Sequence, residues 1–446
     1  MRQNPIHVIG GGLAGSEATF QIAMRGIPVI LHEMRPTQKT EAHTTSQLAE
    51  LVCSNSFGSV SPNSASRILK DELKSLGAFV LSIAESTAVP AGASLAVDRT
   101  KLSEIVTTTL EQHPLVTIER QEVTELPTDA ITIVATGPLT SSRLIQSLQP
   151  IFGDNSLYFY DAISPIVSTD SLDLDQLFYA NRYDKGETKD FLNIPLSEEQ
   201  YNTLVDDLLS GQVVLPHNFE EEKYFESCMP IEAIASRGRK TLAFGPMKPV
   251  GLTDPRTGKR PFAVVQLRTE NKHKTSYNLV GFQTKLKYKE QERIFRKLPG
   301  LESADFLRLG SMHRNTYIDS PRLLNSSLSL RKNQKVFVAG QLTGTEGYLE
   351  STATGLLAGV NAAQLYLDRP AYELPENTIL GSLLQTITDS SRTNFQPMNV
   401  NIGLFPPLKD FLGKDKKEKN RLLSLRSKES LDQWKIEKNW EPTKNF

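Results

Sequence analysis

The chain has 446 residues, of which 39% are hydrophobic and 23% are charged, and its formal net charge is −1. This composition is ordinary for a globular protein of two to three domains, and it excludes polyanion binding through net charge alone. No apolar run approaches the roughly 20 residues that span a bilayer, and residues 1–9 carry no signal-peptide pattern, so we expect a cytoplasmic protein without membrane association.

The N-terminal segment 6–33 has the pattern strand, glycine-rich turn, helix, strand. An apolar run precedes Gly10, Gly12 and Gly15, and a second apolar run leads to Glu33. In a dinucleotide site the first glycine allows a tight turn, the second lets the backbone approach a pyrophosphate, and the third permits close helix packing. An acidic residue after the second strand accepts hydrogen bonds from a ribose. The segment therefore predicts dinucleotide binding. The competing interpretation is a glycine-rich turn in a βα unit of another kind, and the motif does not distinguish FAD from NAD.

Cys53 lies in a segment rich in serine and asparagine, CSNSFGSVSPNS, which is typical of a loop. The other cysteine of the chain is Cys228, and two cysteines without a CxxC motif indicate neither a disulfide framework nor a dithiol reductase. Too few Cys and His residues cluster to hold zinc, so we predict no metal site. A single cysteine is more often a buried hydrophobe than a nucleophile, but a polar loop is an unusual place for a thiol that only packs.

Two helices are predicted after this loop. Serine or asparagine at 63–64 can cap a helix that ends at Gly77. Residues 95–112 place apolar side chains at helical spacing, which predicts an amphipathic helix packed on the sheet.

Two later segments are predicted to join the same sheet. Residues 130–137 (AITIVATG) form a buried strand that ends at a glycine, and residues 336–359 form a strand, a glycine-rich turn and a helix rich in small residues. The N-terminus of this second helix would point at the same crevice as the first. A sheet assembled from such distant segments favours FAD over NAD, whereas the competing interpretation is that the small residues serve packing alone.

The pattern changes between about 156 and 310, where strand-like runs flank a segment dense in turn residues. We therefore predict an α/β protein whose Rossmann-type FAD-binding domain, of the glutathione-reductase type, is interrupted by an inserted α+β domain. No second glycine fingerprint is present, so a pyridine nucleotide would visit the flavin only transiently. The predicted division is 1–155 and 311–410 for the FAD-binding domain, 156–310 for the insert, and 411–446 for a basic C-terminal tail.

Basic residues concentrate in the insert and in this tail. Arg237, Arg239 and Lys240 form one cluster, residues 285–297 carry six Lys and Arg against two Glu, and residues 409–428 carry eight against three acidic residues. Such runs are usually solvated helix faces, but in a near-neutral protein they can also contact a phosphate backbone. We expect the tail itself to be poorly ordered.

Six motifs together resemble the folate- and FAD-dependent tRNA uridine-5-methyltransferases, the TrmFO family. They are GGGLAG near the N-terminus, AELVCSNSF (49–57), YFESCMPIE (224–232), GSMHRNTYI (310–318), GQLTGTEGYLESTATGLLAG (340–359) and PMNVNIGLFPPL (397–408). The similarity runs from residue 5 to about 410, and the two motifs that contain cysteine are specific to the family.

The resemblance implies an enzyme that transfers a one-carbon unit from 5,10-methylenetetrahydrofolate to C5 of a uridine in the T-loop of tRNA. It implies that reduced FAD supplies the reducing equivalents and that NAD(P)H re-reduces the flavin. The implied partners are the T-arm of tRNA and folate, and no protein partner is required.

By motif match, Cys228 corresponds to the nucleophile and Cys53 to a base on the flavin side. Uracil C5 is a poor nucleophile until a thiolate adds to C6 and creates an enolate that captures the methylene carbon. A base then removes the C5 proton, and hydride from the flavin completes the methyl group. His313 and Arg314 match a motif near the flavin side, and whether they contact folate or uridine is left open.

The predicted FAD-binding residues come from the glycine-rich segments and the acidic end of the second strand. They are Gly10, Gly11, Gly12, Leu13, Ala14, Gly15, Glu33, Thr136, Gly137, Gly340, Gln341, Gly347, Glu350 and Ser351. Gln341 stands where many flavoproteins carry an acidic residue.

Three other functions stay open at this stage. The related FAD/folate subunit that modifies the wobble uridine of tRNA is a longer chain, and its C-terminal helical region has no counterpart here. A simple NAD(P)H-flavin oxidoreductase would have activity insensitive to tRNA. A non-catalytic flavin-containing RNA-binding module would keep its function when either cysteine is replaced.

Overall fold

A computed structural model describes most of the chain. The described residues are 4–40, 42–152, 157–162, 164–184, 189–214, 229–271, 273–392, 395–408, 411 and 415–441.

Sixteen strands and thirteen helices are formed by these described residues. The strands are β1 Ile6–Ile9, β2 Val29–His32, β3 Ser56–Ser59, β4 Ala88–Val89, β5 Ser94–Val97, β6 Val116–Glu119, β7 Thr132–Val134, β8 Leu157–Ala162, β9 Ile166–Ser168, β10 Phe178–Tyr179, β11 Leu192–Leu196, β12 Ala263–Thr269, β13 Ser276–Leu279, β14 Phe306–Arg308, β15 Met312–Tyr317 and β16 Val336–Val338. The helices are α1 Leu13–Ala23, α2 Ala65–Leu76, α3 Phe79–Ser86, α4 Arg99–Glu111, α5 Ser142–Phe152, α6 Glu198–Ser210, α7 Ile231–Ser236, α8 Thr241–Phe244, α9 Tyr288–Phe295, α10 Ser320–Leu323, α11 Tyr348–Tyr366, α12 Ile379–Thr388 and α13 Lys416–Glu437.

A parallel sheet of five strands, in the order β16-β7-β1-β2-β6, forms the centre of the first domain. Its strands come from the beginning, the middle and the end of the chain, as the apolar runs predict. The second strand begins at Val29, because Pro28 has no N–H and enters the ladder only through its carbonyl, which accepts from the Ile6 N–H at 3.0 Å. The predicted α/β class with a Rossmann-type sheet is confirmed.

Helices α1 and α11 cross on this sheet at unusually close range. A side chain at Gly355 would place its Cβ 2.3 Å from the carbonyl oxygen of Ala14, and one at Gly359 would lie 2.7 Å from the Cα of Ala18. Only glycine fits at such contacts, which confirms that the small residues of 336–359 allow close packing. The crossing brings the N-termini of both helices to one edge of the sheet.

The two helices predicted after the Cys53 loop have different outcomes. Helix α2 begins after Ser64, whose hydroxyl accepts from the Arg67 N–H at 3.3 Å, and ends at Gly77 with φ +84°, as predicted. The prediction of a helix from residue 95 is wrong at its start, because residues 94–97 form β5 between β3 and β4. The Asp98 side chain caps α4, accepting from the Lys101 N–H at 3.2 Å, so the helix begins at Arg99.

The inserted region has a sheet and a core of its own. Six antiparallel strands run in the order β10-β11-β12-β13-β9-β14, and α6 and α9 pack on one face around the buried rings of Tyr201, Tyr277, Phe282 and Phe295. Strands β8 and β15, which enter and leave this region, pair with each other over their whole length. The inserted α+β fold is confirmed, and the boundaries at 156 and 310 stay predictions.

The C-terminal segment forms a long helix, so the expectation of a poorly ordered tail is wrong for residues 416–437. Leu423, Leu431 and Trp434 of α13 are buried, and the Trp434 ring meets the Tyr372 ring edge-on at 5.6 Å. In the sequence this apolar stripe is hard to recognise, because most residues of the tail are basic or otherwise polar. None of the helices among the described residues has the length and apolar character to cross a membrane.

Glu72 fastens three helices together. Its buried carboxylate, on α2, accepts hydrogen bonds from the Ile379 N–H at 2.6 Å and the Leu380 N–H at 2.9 Å, and from the hydroxyl of Ser427 on α13. Burial raises the pKa of Glu72 to about 7 even though these three donors favour the ionised form.

We predict that Glu72→Gln weakens the pH dependence of stability. The folded state keeps a proton on Glu72 that the unfolded chain releases above the ordinary pKa of 4.5, so this group makes the free energy of unfolding fall as pH rises towards about 7. The variant should lose up to about 1.4 kcal/mol per pH unit of that slope in urea titrations between about pH 5 and 7. Glu85→Gln, at an exposed ion pair with Lys74, is the matched control. An unchanged slope in the Glu72 variant would contradict the prediction.

Candidate functional site

A deep cavity opens at the carboxyl edge of the parallel sheet, where ligands of open α/β folds bind. It encloses about 1030 Å³ of space between protein atoms, part of it continuous with solvent. Eleven of the predicted FAD-binding residues line it. They are Gly10, Gly11, Gly12, Leu13, Ala14, Glu33, Thr136, Gly137, Gly340, Gln341 and Ser351. The cavity therefore brings together residues from all three glycine-rich segments.

The glycine turn before α1 has the shape that a pyrophosphate needs. Gly10 has φ +102°, and a Cβ there would lie 2.5 Å from the carbonyl oxygen of Ala135. A Cβ at Gly15 would lie 1.8 Å from the carbonyl oxygen of Gly10, so the helix can approach the turn only without a side chain. Around Gly12, by contrast, no atom lies within 4 Å of where a Cβ would be. Gly12 thus faces open space at a helix N-terminus, and the residues fit a bound diphosphate.

Three predicted FAD-binding residues lie outside the cavity wall: Gly15, Gly347 and Glu350. Gly347 has φ +115° and caps α11, the second helix whose N-terminus meets the cavity. Glu350 is buried and accepts from the Val400 N–H at 3.0 Å, and its burial raises its pKa to about 7. In the described structure these residues shape the turns behind the cavity, and their contact with a cofactor stays a prediction.

Glu33 is held by a partner that the sequence did not indicate. Its carboxylate accepts from the Gly11 N–H at 3.0 Å and from the Arg35 guanidinium at 2.9 and 3.1 Å, and Arg35 also pairs with Glu50 at 2.9 Å. Burial alone would raise the pKa of Glu33, but the bonds from Arg35 and Gly11 outweigh it and hold the pKa below its ordinary value. Glu33 therefore remains ionised at the end of β2, with two donors on each carboxylate oxygen.

His43 is a second cavity residue that the sequence analysis missed. Its Nδ1 lies 2.6 Å from the hydroxyl of Thr40. Burial, with a further contribution from the charge of Arg35, lowers the pKa of His43 to about 4. The imidazole is therefore neutral near pH 7 and serves as a hydrogen-bonding group on the cavity wall, not as a cation.

Cys53 lies beside the cavity in a loop that Tyr348 holds. The Cys53 N–H and the Ser54 N–H both donate to the phenolic oxygen of Tyr348, at 2.9 and 3.2 Å. Tyr348 is the first residue of α11 and lines the cavity, as does Val52, and Cys53 is half-buried. The loop and the second glycine-rich helix are thus one unit. Tyr348 follows Gly347 directly, which is the signal that could have identified it.

Three predicted catalytic or substrate residues lie wholly or partly outside the described residues. Cys228 lies outside the described residues, as do the side chains of His313 and Arg314 on β15. Their assigned roles stay predictions.

Acidic neighbours neutralise part of the predicted basic surface. Arg239 pairs with Asp206 at 2.8 Å, and Asp207 pairs with both Arg293 and Lys297, at 2.9 and 2.8 Å. Lys287, by contrast, contacts the neutral amide of Gln212 at 3.3 Å, so that bond leaves its charge uncompensated. Within the run 285–297, Lys287 therefore differs from Arg293 and Lys297, whose charges are met by Asp207.

Comparisons with known proteins identify relatives over nearly the whole length. A family model described as GIDA, glucose inhibited division protein A, matches residues 5–370. The methylenetetrahydrofolate–tRNA-(uracil-5-)-methyltransferase TrmFO of Geobacter sulfurreducens is 54% identical over 430 residues, which is 96% of this chain and 98% of that protein. The TrmFO of Enterococcus faecalis is 50% identical over 422 residues, or 95% of this chain and 96% of that protein.

Among solved structures, GidA of Aquifex aeolicus superposes with a TM-score of 0.68 at 16% identity. The match covers 97% of this chain and 74% of the GidA chain. At this identity the likeness concerns the fold alone, and it supports the parallel sheet with its insert.

We predict that Gly12→Val abolishes flavin binding without damaging the fold. Gly12 has φ −73°, which any residue adopts, and the new side chain would fill the open space where the pyrophosphate must lie. The purified variant should lose the visible flavin absorbance and unfold at the midpoint of wild-type protein stripped of flavin. Gly15→Ala is the contrasting variant, because its Cβ collides with the turn and should lower that midpoint. Full flavin content in Gly12→Val would show that the fingerprint is misassigned.

Proposed function

The chain belongs to the GIDA family and is a tRNA uracil-5-methyltransferase of the TrmFO type; we propose that it methylates the T-loop uridine through a cysteine adduct, with reduced FAD as reductant. The observation that carries this proposal is identity of 50–54% to TrmFO proteins over at least 95% of the chain. The one-carbon donor is 5,10-methylenetetrahydrofolate, and NAD(P)H is proposed to re-reduce the flavin.

The cavity residues supply binding and orientation in this proposal. The N-termini of α1 and α11 carry partial positive charge that stabilises a diphosphate, and Gly12 lets it approach the backbone. The Glu33 carboxylate offers acceptor oxygens for a ribose. When bound there, reduced FAD supplies the hydride that completes the methyl group.

The cysteines supply the covalent and proton-transfer steps. The Cys228 thiolate adds to uracil C6, so that a sulfur–carbon bond forms and the C5=C6 electron pair moves towards O4. The resulting enolate attacks the methylene carbon through C5. Cys53 then takes the C5 proton, and the bond between the methylene carbon and the folate nitrogen breaks, so that tetrahydrofolate leaves. Once a hydride has reached the exocyclic methylene carbon, the sulfur–carbon bond to Cys228 breaks as the ring regains its C5=C6 double bond.

The setting of Cys53 supports its part in this sequence. Its backbone N–H donates to the Tyr348 hydroxyl, and both Tyr348 and Val52 line the cavity, so the Cys53 loop borders the cavity that is proposed to hold the flavin. Cys53 is half-buried, so part of the residue is accessible. A group that acts on a substrate between the two needs this placement.

We predict different failures for the two thiols. Fluorine at uracil C5 cannot leave as a proton does, so a tRNA fragment with 5-fluorouridine should trap the C6 adduct in the presence of methylenetetrahydrofolate. Cys228→Ala should form no adduct on denaturing gels. Cys53 acts after the addition step, so Cys53→Ala should still form the adduct but should release no 5-methyluridine from unmodified tRNA.

The flavin spectrum of Cys53→Ala is the control for that experiment, because its loop borders the cavity. Trapping that survives in Cys228→Ala and disappears in Cys53→Ala would reverse the roles. Trapping that survives both changes would remove the thiol mechanism, and a wild-type protein that oxidises NADPH without tRNA and forms no 5-methyluridine would contradict the proposed function.

We predict that the lysines at the start of the basic run contribute to tRNA binding. Replacing Lys285, Lys287 and Lys289 with Gln should reduce the slope of log affinity against log salt by up to about three, since each phosphate contact releases about one counterion. The measurement is a fluorescence titration of labelled tRNA at several salt concentrations. Lys332→Gln with Lys335→Gln, both exposed on the first domain, is the control. An unchanged slope would assign the run to a solvated surface.

A further inference from the structure

Three arginines meet behind the Cys53 loop, at the junction of the two domains. We name Arg99, Arg268, Arg308 and Glu270, whose carboxylate pairs with Arg99, the arginine pocket. Arg268 is 9% exposed and Glu270 is 5% exposed. Leu51 and Asn55, two residues to either side of Cys53, bond to Arg99 and to the carbonyl of Thr269 next to Arg268, so the Cys53 loop lies against the pocket.

The fold fixes these side chains from two directions. Arg99 is the first residue of α4 in the FAD-binding domain. Arg268 and Arg308 both belong to the sheet of the insert: Arg268 is paired with Asn278 and Asn278 with Ile166, and a register shift after Phe306 brings Arg308 opposite Ile166. Directly paired residues point to the same face of a sheet, so Arg268 and Asn278 share a face. This face carries polar groups, whereas the opposite face carries the core of the insert.

Hydrogen bonds across the domain junction hold the pocket in place. The Arg99 Nε donates to Glu270 at 2.6 Å, and its Nη1 donates to the carbonyl of Leu51 at 3.0 Å. Arg308 donates to the carbonyl of Ala42 at 3.3 Å, and Asn55 donates to the carbonyl of Thr269 at 3.0 Å. The pocket is therefore built from both domains and positioned before any ligand arrives.

Donors in the pocket outnumber the acceptors available to them. Arg99 Nη2, Arg268 Nε and Asn278 Nδ2 are buried and have no hydrogen-bond partner among the described residues. The carboxylates that face the arginines are Glu270, which pairs with Arg99, and Glu50, which pairs with Arg35. Burial lowers the pKa of both Arg268 and Arg308, which expresses the cost of keeping their charge out of water. A ligand with a negatively charged oxygen would relieve that cost.

We propose that Arg268, assisted by Arg99, donates hydrogen bonds to uracil O4 and stabilises the negative charge that this oxygen gains during the reaction. The inference rests on the proposed function, since it takes its oxyanion from that mechanism. When the thiolate of Cys228 bonds to C6, the C5=C6 electron pair moves to the C4–C5 bond and the C4–O4 pair moves onto oxygen. The charge returns from O4 when C5 bonds to the methylene carbon.

The position of O4 relative to Cys53 is the reason for assigning the donors to O4 and not to O2. Cys53 is the proposed base for the proton on C5, and O4 is attached to C4, the ring carbon next to C5. A donor that adjoins the Cys53 thiol is thus within reach of O4, whereas O2 lies on the far side of the ring. Donors fixed in advance in a buried site stabilise a developing oxyanion more than water does, because they need no reorganisation.

The experiment compares adduct formation in Arg268→Met, Arg268→Lys and wild type. Each holoenzyme is mixed with the 5-fluorouridine tRNA fragment and methylenetetrahydrofolate, and the rate of covalent adduct formation is measured under single-turnover conditions. We expect Arg268→Met to be slower by about a hundredfold, as for the loss of one oxyanion donor, and Arg268→Lys to recover part of that rate because it keeps the charge. Arg256→Met is the matched control, because Arg256 is an arginine of the same domain that pairs with Asp254 at 2.7 Å away from the pocket.

Stability and flavin content separate this role from a structural one. A buried guanidinium without a hydrogen-bonded carboxylate does not stabilise the fold, so Arg268→Met should keep both its flavin and its unfolding midpoint. A lowered midpoint or lost flavin that fully accounts for the slower adduct would overturn the proposal. An unchanged adduct rate would also overturn it, and so would a normal adduct rate with no methylated product, which would assign the arginines to the Cys53 step. Failure of the wild type to form any adduct would instead contradict the proposed function.

Discussion

The close approach of backbone to backbone at the start of α1 is the constraint on which the rest of the site depends. Gly15 lets the helix touch the Gly10 turn, and Gly355 lets α11 touch Ala14 on the same helix. Because both helices are pressed together at this point, their N-termini open into one cavity. Any side chain at these contacts would force the backbones apart, so the packing of the helices and the shape of the cavity depend on the same few atoms.

The second organising feature is the seam between the two domains. The FAD-binding domain contributes the Cys53 loop, Asn55 and Arg99, and the insert contributes Thr269 and Glu270. These contacts are polar and buried, which makes the seam specific in geometry without making it strongly apolar. The Cys53 loop thus contacts both Tyr348, which lines the cavity, and Arg99 of the arginine pocket.

Three buried carboxylates stabilise the structure around this site. Glu17 accepts from the Phe79 and Val80 N–H groups at 3.1 and 2.8 Å, Glu72 caps α12, and Glu350 holds the Val400 N–H. Burial raises the pKa of each to about 7. Each satisfies helix or loop N–H groups that would otherwise be buried without acceptors. Glu350 belongs to a predicted FAD-binding segment, but it accepts from the Val400 N–H behind the cavity wall and does not line the cavity.

The sequence by itself determined the parallel sheet, the glycine turn and the family motifs. These depend on local rules, namely apolar runs for buried strands, glycine where no Cβ fits, and capping residues such as Ser64, which short segments of chain express directly. The start of α4 was missed because the pairing of β5 with distant strands overrides the helical spacing of residues 95–112. The helix in the C-terminal tail was not predicted, because its few buried apolar residues are separated by many charged ones.

Only the tertiary structure decided which charges meet. Arg35 lies two residues from Glu33, but nothing in that spacing shows that its guanidinium closes on the carboxylate. Arg99, Arg268 and Arg308 are up to 209 positions apart in the chain, and they come together because sheet register and domain docking place them there. Electrostatic environment depends on three-dimensional distance and burial, and neither quantity is encoded in local residue patterns.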